Sequence, residues 1–223
     1  MIGIYNYTVW LTYMSFLSAG FGIILTEITG KPFVGIICLM FSGLCDAFDG
    51  KVASTKKNRT SFDKKYGIQI DSLSDVVAFG ILPAVIGIEI FKKVELGDGT
   101  VDFSLTTVLS ILVFAIYILA AKVRLAYFNV TEDERQQVET GARAHYTGLP
   151  VTAAALVFPA VYAFKAVSDE VLLVAYFAVM FLTACAFVLK FKVKKPGLKG
   201  VIMWTIIGLV EFAIVFAFLG GIK

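Results

Sequence analysis

The feature that most constrains the fold is a series of long runs without any charged residue. The first run covers residues 1–26, and a helix needs about 20 apolar residues to cross a lipid bilayer. Further charge-free runs cover residues 103–121, 144–164 and 171–189. Open strands cannot satisfy their backbone groups in lipid. These runs therefore predict membrane-spanning helices.

Three other segments are apolar but contain carboxylates, including Asp46 and Asp49, Asp71 and Asp75, and Glu211. Of the residues in the chain, 58% are hydrophobic and 17% are charged. Soluble domains average about 45–50% apolar residues and about 25% charged residues. This composition excludes an ordinary water-soluble enzyme and predicts an all-α polytopic membrane protein. The seven spans that we expect cover about residues 7–27, 33–54, 67–91, 103–121, 144–164, 171–189 and 200–221.

The placement of charge predicts the topology. The net charge is only +3, and the basic residues lie in loops between apolar runs, so we expect no nucleic-acid partner. Three alternate loops hold six, four and five of the 20 basic residues. The positive-inside rule therefore places the amino terminus and these loops in the cytoplasm. Three cysteines cannot pair completely, which excludes a disulfide-stapled scaffold. We expect one transmembrane domain over residues 1–223.

Four aspartates lie inside two consecutive predicted spans, where each costs about 2.5–3.5 kcal/mol near the bilayer centre. Asp46 and Asp49 are three residues apart, and Asp71 and Asp75 are four apart, so each pair projects from one face of its helix. Facing helices would bring the four carboxylates together, with no basic residue in either cluster. The pattern predicts a divalent metal site, and oxygen ligands favour Mg²⁺, Mn²⁺ or Ca²⁺. Paired metals of this kind are typical of phosphoryl chemistry.

An alternative interpretation is that the aspartates only cap helix ends near the interface. We favour the metal site because two pairs occur at helical spacing on spans joined by a basic loop. Gly50 directly follows Asp49, and Ala53 lies one turn further on. Small side chains there would let a phosphate-bearing ligand approach the backbone, although small residues also serve helix packing.

The residues around the aspartates resemble the signature of the CDP-alcohol phosphotransferases, D-x-x-D-G-x-x-A-R followed by G-x-x-x-D-x-x-x-D. The chain reads D-A-F-D-G-K-V-A over residues 46–53 and G-I-Q-I-D-S-L-S-D over residues 67–75. The strings R-L-A-Y-F-N at 124–129 and G-L-P at 148–150 resemble its CDP-diacylglycerol–serine O-phosphatidyltransferase branch. The resemblance covers about residues 6–196.

This resemblance implies a six-helix core, to which the span at 200–221 adds a seventh helix. It also implies transfer of a phosphatidyl group from CDP-diacylglycerol to L-serine in the membrane, with release of CMP, by a homodimer. Asp46, Asp49, Asp71 and Asp75 would hold two divalent ions, Mg²⁺ or Mn²⁺, and Asp75 would also be the general base. The substrate-binding residues that we assign are Gly50, Ala53, Arg59, Gly67, Arg124 and Asn129.

The sequence departs from the family signature at Ser54, where the family has arginine, and in the longer spacer before Gly67. Arginine would contact phosphates bidentately, which serine cannot do. Either a neighbour such as Arg59, Lys56 or Lys57 substitutes, or phosphate binding is weakened.

Two other functions stay open. Within the family, the acceptor could be glycerol 3-phosphate or inositol phosphate, and a phosphorylated acceptor should need more cationic ligands. In another class, a cation transporter could use intramembrane carboxylates, and it would move ions without releasing CMP.

Overall fold

The computed structural model describes residues 2–96, 104–138, 145–194 and 198–219, and these residues are almost entirely helical. The α-helices are α1 (Trp10–Thr29), α2 (Pro32–Ser54), α3 (Ser61–Asp75), α4 (Leu82–Phe91), α5 (Leu105–Val138), α6 (Ala154–Tyr162), α7 (Asp169–Val188) and α8 (Leu198–Leu219). A 3-10 turn at Tyr7–Val9 leads into α1. Two π-helical turns, Val76–Ile81 and Lys92–Leu96, flank α4, and two 3-10 turns, Val151–Ala153 and Ala163–Ala166, flank α6.

Among the described residues, five helical segments are long and apolar enough to cross a membrane: Tyr7–Thr29, Pro32–Ser54, Ser61–Glu95, Leu105–Arg135 and Asp169–Val188. Val151–Ala166 and Ile202–Ala217 are shorter apolar helices. Large apolar side chains face outward, as with Phe21 at 58% and Val174 at 70% exposure, which suits contact with lipid. The prediction of an all-α, multi-pass membrane protein is confirmed.

One short ladder departs from the helical pattern. The strands β1 (His145–Thr147) and β2 (Lys192–Lys194) pair antiparallel, with Tyr146 opposite Val193. They join the segment before α6 to the segment after α7. The sequence analysis predicted no strands, and ladders of three residues are too short to produce a clear alternating pattern.

Helix boundaries differ from the predicted spans where polar residues continue a helix. Instead of ending near residue 121, α5 continues to Val138, because residues 122–138 contain neither glycine nor proline. An ion pair between Arg135 and Glu132 supports this polar extension. The third segment begins at Ser61 rather than near 67, since Thr60 and Asp63 form a capping box.

The fifth predicted span, residues 144–164, becomes helical later than predicted, at the 3-10 turn that starts at Val151 and leads into α6. Gly148 has a φ of +77°, and Pro150 lies in an extended conformation just before the first helical turn, so residues 148–150 form the connection into the helix. Three predicted span boundaries lie outside the described residues: the starts at 103 and 144 and the end at 221.

The core is aromatic and holds the α3–α4 segment against α5 and α7. Tyr117 donates a hydrogen bond of 2.6 Å to the Phe79 carbonyl, and Tyr176 donates one of 2.9 Å to the Pro83 carbonyl. Both tyrosines are fully buried. Because Phe79 lies in the π-helical turn directly after Asp75, these bonds fix the helix that carries the second aspartate pair.

Candidate active site

The four predicted aspartates come together between α2 and α3. Carboxylate oxygens of Asp46, Asp49 and Asp71 all lie within 4.8 Å of one another. The carboxyl group of Asp75 contacts that of Asp46, and the carboxyl group of Asp71 contacts that of Asp49. Asp75 is the deepest of the four, with 7% of its surface exposed. The helical spacing therefore predicted the convergence correctly.

The chemistry of this cluster suits a hard divalent cation. Carboxylates at this separation repel one another unless a positive charge lies between them. Within the described part of the chain, the ion pairs of lysine and arginine involve other carboxylates, namely Glu27, Asp63, Glu89, Glu132 and Asp169. The converging donors are oxygen atoms, which Mg²⁺ and Mn²⁺ accept readily. The residues present therefore fit the metal that the sequence predicted.

Helix α1 contributes a residue that the sequence analysis missed. Thr12 Oγ1 donates a hydrogen bond of 3.0 Å to Asp49 Oδ2, and only 6% of Thr12 is exposed. The buried positions of α1 are small or hydroxyl-bearing and recur every three or four residues: Thr12, Ser15, Ala19, Gly22 and Thr26. This stripe is the signal that could have identified the face of α1 that packs against α2.

Open space lies beside Asp49. A Cβ atom added to Gly50 would have no heavy atom within 4 Å, and Gly50 is exposed while Ala53 is half-buried. Ser54, where the family signature has arginine, is exposed and donates its hydroxyl hydrogen to the Lys51 carbonyl at 2.7 Å. The end of α2 therefore leaves room for a ligand next to the aspartates.

Arg59 reaches back along α3 from the loop that precedes it. Its Nη2 atom donates to the Asp63 carbonyl at 3.2 Å and would lie 2.8 Å from a Cβ atom on Gly67. Its Nε atom is buried and has no hydrogen-bond partner in the described structure. Lys56 instead lies 4.0 Å from an Asp63 carboxylate oxygen.

Asn129 and Arg124 occupy different surroundings on α5. Asn129 Nδ2 donates to Ser72 Oγ at 2.7 Å, next to Asp71 in the chain. Arg124 is buried, and its Nε donates to the Leu149 carbonyl at 3.1 Å. It lines a cavity of about 100 Å³ together with Val123, Tyr127, Thr147, Phe187, Val188, Leu189 and Lys190. None of these neighbours belongs to the aspartate cluster.

Comparisons with known proteins place the chain in a family and give named relatives. A family model described as CDP-alcohol phosphatidyltransferase matches residues 5–210. Archaetidylserine synthase of Methanothermobacter thermautotrophicus is 32% identical over 145 residues, which cover 65% of this chain and 53% of that protein.

Two further relatives are called CDP-diacylglycerol–serine O-phosphatidyltransferase. The Saccharomyces cerevisiae protein is 33% identical over 140 residues, covering 60% of this chain and 45% of the relative. The Helicobacter pylori protein is 29% identical over 113 residues, which cover 51% of this chain and 39% of that protein. The matched region thus spans about half, or less, of the length of these curated relatives.

Proposed function

The chain belongs to the CDP-alcohol phosphatidyltransferase family, and from this premise we propose that it transfers a phosphatidyl group from CDP-diacylglycerol to L-serine. The serine hydroxyl oxygen would form the new bond to the phosphatidyl phosphorus, the bond from that phosphorus to CMP would break, and CMP would leave. The products are phosphatidylserine and CMP. The choice of serine rests on relatives whose names specify serine.

The observation that carries the proposal is the convergence of Asp46, Asp49 and Asp71 within 4.8 Å, with Asp75 against Asp46. These four aspartates would hold two divalent ions, Mg²⁺ or Mn²⁺. Bound there, such ions would neutralise the diphosphate and stabilise the departing CMP. The protein's own contribution is to hold the carboxylates on two helices fixed by the core, so that no ligand has to be recruited from a loop.

Asp75 is the residue that we assign as general base. It is buried at the floor of the cluster, and it would accept the serine hydroxyl proton as the new oxygen–phosphorus bond forms. A general base of this kind contributes about 10²–10⁴-fold to the rate.

The donor would lie along the end of α2. Open space at Gly50 and the small side chain of Ala53 would leave room for the cytidine, and we assign Gly67, one turn before Asp71, to the same substrate site. Asn129 supports the same region because it holds Ser72 in place. We assign the serine carboxylate to Arg124, which is buried and lies on α5 five residues before Asn129.

We further propose that this end of the bundle faces the cytoplasm and that the protein works as a homodimer. Nine of the 17 basic residues of the described chain lie at the end of α2, in the loop that follows it, at the start of α3 and in the second half of α5, which supports the first statement. Reporter fusions to the amino terminus and to the loop between α2 and α3 test the sidedness, and light scattering of the purified protein tests the oligomeric state.

The decisive assay is CMP release by the purified protein in detergent with CDP-diacylglycerol and Mn²⁺. L-serine, glycerol 3-phosphate and inositol phosphate are compared as acceptors. Asp75→Asn should lower serine-dependent release by at least 100-fold. The matched control is Asp169→Asn, since Asp169 pairs with Lys165 at the start of α7, and it should retain release.

Each outcome of this assay decides a separate statement. Release with a different acceptor would keep the phosphatidyl transfer and refute the choice of serine. No release with any acceptor, together with cation flux into liposomes that Asp75→Asn abolishes, would replace the enzyme by a cation transporter.

A further inference from the structure

Arg59 is placed where a cation would serve the aspartate site. It directly precedes the N-cap residue Thr60, yet its guanidinium reaches as far as Gly67, two turns into α3. Gly67, Asp71 and Asp75 are spaced by four residues and so lie on one face of that helix. The guanidinium thus lies on the same face of α3 as two of the clustered aspartates.

One buried donor of the Arg59 guanidinium group has no partner among the described residues. An arginine side chain offers five N–H donors. Here Nη2 donates to the Asp63 carbonyl, while Nε is buried and has no partner within the described ranges. A buried donor without a partner carries a desolvation cost, and an anion that accepts from Nε would remove it.

Gly67 is what allows this approach. A Cβ atom at position 67 would lie 2.8 Å from Arg59 Nη2, closer than a carbon and a nitrogen can pack, so any other residue would displace the guanidinium. The absence of a side chain at Gly67 therefore leaves the space that the guanidinium occupies.

We propose that Arg59 binds a phosphate group of the nucleoside diphosphate that occupies the aspartate site, and that it does so across Gly67. A planar guanidinium matches phosphate oxygens with two parallel hydrogen bonds. Arg59 would thereby bind the phosphate from the α3 side while the cations held by the aspartates bind it from the α2 side. The inference rests on the proposed function, because that function supplies the nucleotide.

The test measures binding of CDP to the purified protein in the presence of Mn²⁺ by calorimetry. Arg59→Gln should weaken CDP binding about 10-fold or more, while Mn²⁺ binding, measured by electron paramagnetic resonance, and the unfolding temperature stay as in the wild type. Lys65→Gln is the matched control, because Lys65 is an exposed cation on the same helix and its loss changes the net charge equally.

A second variant separates ligand binding from a structural role. Gly67→Ala should weaken CDP binding because it displaces the guanidinium, and the double variant should bind no more weakly than Arg59→Gln alone. Additive losses would show that Gly67 acts independently of Arg59 and would overturn the mechanism across Gly67.

Two further outcomes distinguish a failure of this inference from a failure of the proposed function. If Arg59→Gln binds CDP as tightly as the wild type, the role of Arg59 is refuted and the proposed function stands. If the wild type itself does not bind CDP, the proposed function fails and Arg59 loses its ligand with it.

Discussion

The hydrogen bond from Thr12 to Asp49 predicts how strongly α1 controls the metal site. Its length is 3.0 Å, and its donor is buried. A hydrogen bond to a charged group contributes about 1.5–3 kcal/mol, and about 1.4 kcal/mol corresponds to a factor of ten in affinity. Thr12→Val keeps the shape of the side chain but removes the donor. We expect it to weaken Mn²⁺ binding by about 10–100-fold, as losses of partners of metal ligands usually do.

The assay is a Mn²⁺ titration followed by electron paramagnetic resonance, with CMP release measured at each concentration. Thr12→Ser keeps the hydroxyl group and should retain most of the affinity. Thr29→Val removes a hydroxyl group at the other end of α1, where it bonds to the Leu25 carbonyl, and should leave Mn²⁺ binding unchanged. A Thr12→Val protein that is folded and binds Mn²⁺ within twofold of the wild type would refute the reasoning.

Three other predictions follow from the site and its packing. Chelation of divalent cations should abolish CMP release, and Mn²⁺ should restore it; release that persists in the chelator would contradict the metal site. Gly50→Ala should raise the KM for CDP-diacylglycerol about tenfold without lowering the unfolding temperature, since the added Cβ meets no protein atom within 4 Å; an unchanged KM would place the donor elsewhere. Gly43→Ala should destabilise the protein by about 1–3 kcal/mol relative to Gly20→Ala, because only Gly43 lies against Ala155; equal thermal unfolding of the two variants would contradict this close packing.

Hydropathy was sufficient to predict the helices because lipid allows few other structures. Hydropathy predicted the limits of the apolar runs, but several helices extend beyond those limits. Residues 122–138 continue α5 beyond its charge-free run, held by local features such as the pair between Arg135 and Glu132. A capping box at Thr60 and Asp63 likewise starts α3 before its apolar part. Such ends follow from local hydrogen bonds, which hydropathy does not report.

The aspartate cluster could be predicted because the helical period fixes which residues share a face. The contacts from other helices could not, because they depend on which face of each helix turns inward. Thr12 reaches Asp49 only because α1 packs its small residues against α2. Asn129 was predicted as a ligand of the substrate, and the structure shows its side chain bonded to Ser72. Its role at the substrate stays a prediction.

The aspartate cluster also links cation binding to stability. Four carboxyl groups gathered between two helices repel one another in the metal-free protein, and a cation at 100 times its dissociation constant adds about 2.7 kcal/mol of stability. Asp71→Asn removes one of the repelling charges and one of the ligands. We therefore expect it to raise the unfolding temperature of the metal-free protein and to reduce the further rise that Mn²⁺ produces, while CMP release is lost. Thermal unfolding with and without Mn²⁺ measures both effects. Asp71→Asn could instead lower the stability of the metal-free protein and keep the full response to Mn²⁺. That result would show that Asp71 stabilises the fold and does not bind the cation, and it would refute the metal site at this residue.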